Sequence, residues 1–166
     1  MKRQVRHQTT LRHELRAELT LGDPYVEAER PLHPAVCTDC GAIFRQGRWD
    51  WGSRPPRDAV RTLCAACLRI RDQFPAGHVS LRGPWVDSHK AELCKLVADY
   101  EAQTNRERPL ERVIGIDSGQ RTGLTITTTG RHLARTLAHA VHDHYEGRLR
   151  VRFEADDNLV QAVWSR

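Results

Sequence analysis

The sequence predicts an α+β protein: a zinc ribbon, then a long helix, then a C-terminal ββαββ domain. Three observations carry this reading. Two CxxC pairs, Cys37/Cys40 and Cys64/Cys67, are separated by 23 residues. A helical apolar stripe follows over residues 85–100, and alternating strands then flank an amphipathic helix over residues 111–166. The chain has 166 residues, 39% hydrophobic and 28% charged, which suits one soluble globular domain or two small ones. No run approaches the roughly 18 apolar residues of a membrane span. The N-terminus, MKRQVRHQTTLRHELRAEL, lacks the apolar stretch of a secretory signal. A cytoplasmic location without membrane attachment is expected. In such a reducing compartment, five cysteines point to metal or reactivity rather than disulfides.

Residues 1–35 read as a flexible basic N-terminal arm, interrupted by Pro24, Pro31 and Pro34. Leu11, Leu15 and Leu19 fall at i, i+4 and i+8, giving a short helix one apolar stripe. An isolated helix of that length is marginal in water, so it needs a docking surface, whether on this chain or on a protein partner. The cluster Lys2, Arg3, Arg6, Arg12 and Arg16 suits phosphate contact and solvated disorder equally.

Residues 36–78 read as the zinc ribbon. A CxxC turn brings two thiolates within about 4 Å of each other, each able to reach zinc at about 2.3 Å. Cys37, Cys40, Cys64 and Cys67 would therefore close a tetrahedral site around one structural Zn2+, with no open position for catalysis. Gly41 suits the tight knuckle after the first pair. Ile43, Phe44, Trp49 and Trp51 flank a Gln46-Gly47 turn, the pattern of a β-hairpin. The competing readings are two unrelated cysteine pairs or a redox dithiol. A redox CxxC opens a helix after a strand, a context the sequence suggests for neither pair.

This segment carries seven arginines against four aspartates. Arg45, Arg48, Arg54, Arg57, Arg61, Arg69 and Arg71, interleaved with Trp49 and Trp51, are candidate nucleic-acid contacts. Guanidinium groups would hold phosphates and indoles would stack bases. The opposing expectation is that at least one tryptophan is core and the arginines only solvate the surface. Only three of the 26 basic residues are lysine, an excess of arginine that a GC-rich genome also produces.

Residues 79–110 read as a connector and an amphipathic helix. Val79 to Arg82 suggests a short strand, ended by Gly83-Pro84. Trp85, Val86, His89, Leu93, Leu96, Val97 and Tyr100 then recur at helical spacing. Acids and bases balance here, and Cys94 lies beside the stripe as a small hydrophobe. In residues 111–166, strands near 112–116 and 123–127 precede a helix over 131–145, with strands near 149–153 and 159–164 after it. That order suggests four strands with one face covered. Arg148, Arg150 and Arg152 would line the open face, although any half-exposed sheet alternates in this way. His139, His142, Asp143 and His144 fall on the polar face of the helix and read as surface residues. No phosphate-binding loop, dinucleotide fingerprint or GxSxG motif is present, so a non-enzymatic protein is expected.

The segments VCTDCGAIFRQGRWDW, LCAACLRIRDQFPAGHVSLRGPW, PLERV and TTTGRHLARTLAHAVHDHYEGRLRV resemble a small bacterial zinc-ribbon family over roughly residues 23–166. That family is similar in turn to the zinc-binding region of the large-ribosomal-subunit nuclear export adaptor and its archaeal homologues. Cys37, Cys40, Cys64 and Cys67 match its knuckles, while the several CxxC pairs and the export tail of the eukaryotic protein have no counterpart. The resemblance implies a bacterial zinc-ribbon protein that touches ribosomal RNA or a ribosomal subunit. The alternative is a protein–protein interaction or stress-response adaptor that uses the ribbon as a scaffold.

Overall fold

In the computed structural model, which describes residues 24–118, 123–154 and 158–166, the chain builds two mixed sheets. Helix α1 (Pro24–Glu29) leads into β1 (Ala35–Cys37), β2 (Ile43–Arg45), β3 (Arg48–Asp50) and β4 (Val60–Thr62). They form a sheet of order β3-β2-β1-β4, in which β1 and β4 run parallel. The β2–β3 turn is Gln46-Gly47, with φ of 51° and 78°. Left-handed backbone at both positions matches the twist of a two-residue hairpin, and glycine adopts it without strain.

Helix α2 (Ala65–Asp72) packs beside this sheet. The core beneath is small. Three of its eight buried residues are cysteines of the two pairs, so apolar area alone is a weak anchor.

The arm expected over residues 1–35 does not extend through 24–35. Tyr25 stacks on Phe74 with ring centroids 5.5 Å apart, and its hydroxyl donates to Asp72 at 2.9 Å. The Trp49 indole N–H donates to the carbonyls of Ala28 and Glu29 at 3.1 Å. Burying two aromatic rings fixes α1 in place. The Leu11/Leu15/Leu19 helix lies outside the described residues.

The second sheet begins at β5 (Gly77–Arg82). It continues through α3 (Pro84–Ser88), α4 (Lys90–Glu107), β6 (Val113–Asp117), β7 (Leu124–Thr128), α5 (Arg131–His144), β8 (Arg148–Glu154) and β9 (Leu159–Ser165). The predicted helical stripe is therefore split at His89, whose ring stacks on Trp85 and whose Nδ1 lies 2.8 Å from the Trp85 carbonyl. Cys94 is half-buried and packs against the core.

Strand order is β6-β7-β5-β9-β8, with β5 and β9 parallel. The sheet thus has five strands where residues 111–166 suggested four. β5, which crosses the expected boundary at residue 78, supplies the central one. Val79 and Leu81 explain the insertion: each is fully buried between β7 and β9.

One face carries the core. Val79, Leu81, Leu124, Ile126, Ala162 and Trp164 meet Val86, Leu93, Val97, Leu133, Leu137 and Val141 from the helices. Residues of the opposite parity, such as Ser80, Thr125, Thr127 and Gln161, are half-buried or exposed. Both long helices therefore share one side, and the other face of the sheet carries no described element. No described helix is long and apolar enough to cross a membrane.

Candidate metal centre and basic surfaces

Parallel pairing of β1 with β4 sets Cys37 beside Thr62 and so beside Cys64. Thr38 N–H donates to the Thr62 carbonyl at 2.9 Å and fixes that register. The backbone N–H groups of Cys64 and Cys67 donate to the sulfurs of Cys37 and Cys64, at 3.3 and 3.5 Å. Gly41, at φ 75°, closes the first knuckle through its N–H to the Cys37 carbonyl at 3.0 Å.

The four sulfurs all lie within 4.8 Å of one another, and none is in a disulfide. A tetrahedron with bonds of about 2.3 Å to zinc has sulfurs about 3.8 Å apart. The Cys40 and Cys64 sulfurs are separated by 3.8 Å. The donor set fits a metal ion.

Contrary to the sequence expectation, Cys64 caps the N-terminus of α2, directly after β4, which is the setting of a redox pair. What separates this site from a dithiol is the presence of Cys37 and Cys40 in the same cluster, as the spacing of the two pairs predicts.

Four thiols packed this tightly cannot all ionise on their own. The Cys64 side chain hydrogen-bonds Cys40 and holds the Cys40 thiol far below its usual range, to about 4. That same hydrogen bond, with burial, drives the Cys64 thiol strongly upward, and burial lifts Cys67 to about 11. A divalent cation at the centre would remove this conflict by making every sulfur a thiolate, and would leave two surplus negative charges.

Arg112, at the entrance to β6, is placed to answer part of that surplus. Its Nη1 donates to Cys67 Sγ at 3.6 Å and its Nε to the Pro109 carbonyl at 3.1 Å. Burial works against the Arg112 charge, yet attraction from Cys40, Cys67 and Cys64 outweighs it and raises its pKa. Arg112 also joins the cysteine cluster to the larger sheet. Replacing Arg112 with leucine is expected to weaken metal retention about 10- to 100-fold in competition with a chelator, with partial recovery in Arg112→Lys. Unchanged retention would remove Arg112 from the centre.

The candidate nucleic-acid contacts divide into buried and exposed groups. Trp49 is 5% exposed and lies under the hairpin at 5.5 Å from Phe44, so it cannot stack a base. Arg69 is 3% exposed with its guanidinium 4.2 Å over the Tyr25 ring, and it too leaves the set. A module this small uses its large side chains to build core. Arg45, Arg48, Arg54, Arg57, Arg61 and Arg71 are exposed. Of these, Arg45 pairs with Asp50 at 3.0 Å and Arg71 with Asp72 at 3.5 Å. Trp51 is 42% exposed, and its indole N–H donates to the Asn105 carbonyl at 2.6 Å. That bond ties the hairpin to α4, and Arg45, Arg48, Arg106 and Arg108 line the groove of about 930 Å³ around it.

Arg148, Arg150 and Arg152 are exposed on edge strand β8. Register places them on the uncovered face in rows. Arg150 follows Val163, Ser80 and Thr125, while Arg152 follows Gln161, His78 and Thr127. Arg148 shares its row with Ser165 and Arg82. Arg82 and His78 join this face unpredicted, because the short strand suggested at Val79 to Arg82 lies in the connector, outside the segment read as the sheet, and His78 falls in the ribbon segment. Among the described strand residues of this face, the acids Asp117 and Glu154 stand on the two opposite edge strands. His139 and His142 are exposed and line a cleft beside α5. The chain matches no family model, no curated protein and no solved structure.

Proposed function

We propose that this is a non-enzymatic, cytoplasmic zinc-ribbon protein that binds RNA, with the uncovered face of the five-stranded sheet as its main surface. One Zn2+ held by Cys37, Cys40, Cys64 and Cys67 is the structural ion of the ribbon; four thiolate donors favour zinc over harder cations. The observation that carries the reading is the row arrangement of Arg82, Arg148, Arg150 and Arg152 across a face of small polar residues. Arginine forks suit phosphates, and a sheet face of Ser, Thr and Gln side chains lets a single strand lie close. Resemblance of the two knuckle segments to the export-adaptor region makes ribosomal RNA or a ribosomal subunit the proposed partner. The adaptor alternative relied on the Leu11/Leu15/Leu19 helix or on this same face, whose charge favours an anion.

Metal-loaded protein used as bait in a lysate is expected to retain RNA that is lost after ribonuclease treatment and in high salt. Protein partners that survive both treatments, with no RNA recovered, would replace this reading with the adaptor.

A further inference from the structure

A cleft of about 1050 Å³ runs between α2 and α5 and is floored by β8, at the upper end of ligand-sized cavities. Its charge is one-sided. Arg108, Arg131, Arg135 and Arg152 line it together with His139 and His142. Of the two acids on its wall, Glu111 accepts the Leu133 backbone N–H at 2.8 Å and so caps α5. The floor is apolar where solvent reaches it: Phe153 is 56% exposed and Val151 38%. Arg131 is already positioned, with Nη1 donating to Asn158 Oδ1 at 2.6 Å and its guanidinium 5.5 Å from the Phe153 ring centre. A simple anion has no use for the exposed ring, and an apolar peptide has none for the exposed arginines. A planar base joined to phosphate uses both.

We propose that this cleft holds nucleotides of a single RNA strand, with one base against Phe153 and the phosphates on Arg131 and Arg135. The proposal rests on the RNA reading and extends it. β8 is an edge strand, and Arg152, whose register places it on the uncovered face, also lines the cleft. A strand leaving the sheet face would cross that edge into the cleft.

The test uses the full, metal-loaded chain and a short single-stranded RNA containing 4-thiouridine. Phe153→Ala is expected to weaken binding roughly 5- to 100-fold, whereas Phe153→Tyr holds it. Arg131→Gln with Arg135→Gln should weaken it further, and photo-crosslinks should map to the β8 peptide carrying Phe153. If the wild type binds RNA but these variants bind equally well and no crosslink reaches β8, the cleft assignment is overturned and the RNA reading stands. If the wild type binds no RNA, both fall. If AMP alone binds with the same variant pattern, the occupant is a mononucleotide and the strand path is wrong.

Discussion

Replacing Cys64 with serine is expected to empty the metal site and unfold the smaller sheet. Structural zinc contributes roughly 10–16 kcal/mol of apparent binding free energy in small modules. That matches or exceeds the total stability of an ordinary domain, about 5–15 kcal/mol. The module has little to set against the loss. Its core holds Phe44, Trp49 and a few alanines beside the cysteines themselves. Bound zinc per chain should fall from one to none, and Trp49 emission should move to the red as its ring leaves the core. Cys94→Ser is the matched control. Cys94 is half-buried on α4, outside the sulfur cluster, so this variant should keep its metal and lose little stability. A Cys64→Ser protein that retains one zinc with an unchanged tryptophan spectrum would rule out the four-cysteine centre.

The second large effect concerns the uncovered face. Changing Arg148, Arg150 and Arg152 together to glutamate is expected to weaken RNA binding by at least about 100-fold, because three phosphate contacts become repulsions. The fold should be indifferent to the change. All three side chains are exposed, and β8 keeps its backbone ladder to β9. Circular dichroism and urea unfolding should therefore overlay the wild type. The same three-charge reversal at Arg45, Arg48 and Arg54 should have a smaller effect, since Arg45 is already committed to Asp50.

Local chemistry was readable wherever one element sufficed. The Gln46-Gly47 turn, the amphipathic α5 helix and the alternation of β8 each announce themselves within a few residues. The cysteine spacing likewise pointed to a cluster before any geometry was known. Non-local pairing stayed hidden. β5 alternates cleanly from His78 to Arg82, yet its neighbours β7 and β9 begin more than forty residues later. No local signal says that it is the central strand, so Arg82 and His78 went unassigned. The same holds for Arg112, which reads as the first residue of a strand and acts on sulfurs from a distant segment. Side-chain fate in the smaller sheet was also undecidable locally. Trp49 and Trp51 stand two residues apart, and packing against Phe44 and beneath α1 buries the first ring while the second stays exposed.

The most direct measurement is the affinity of the metal-loaded chain for a short single-stranded RNA as a function of salt. Each arginine–phosphate contact on a single strand contributes about −0.7 to the slope of log affinity against log salt, so four contacts predict about −3. The wild type is expected to show a slope at least that steep, and the triple glutamate variant one shallower by about 2. A slope near zero, or a variant that binds with the wild-type slope, would contradict RNA recognition by this face.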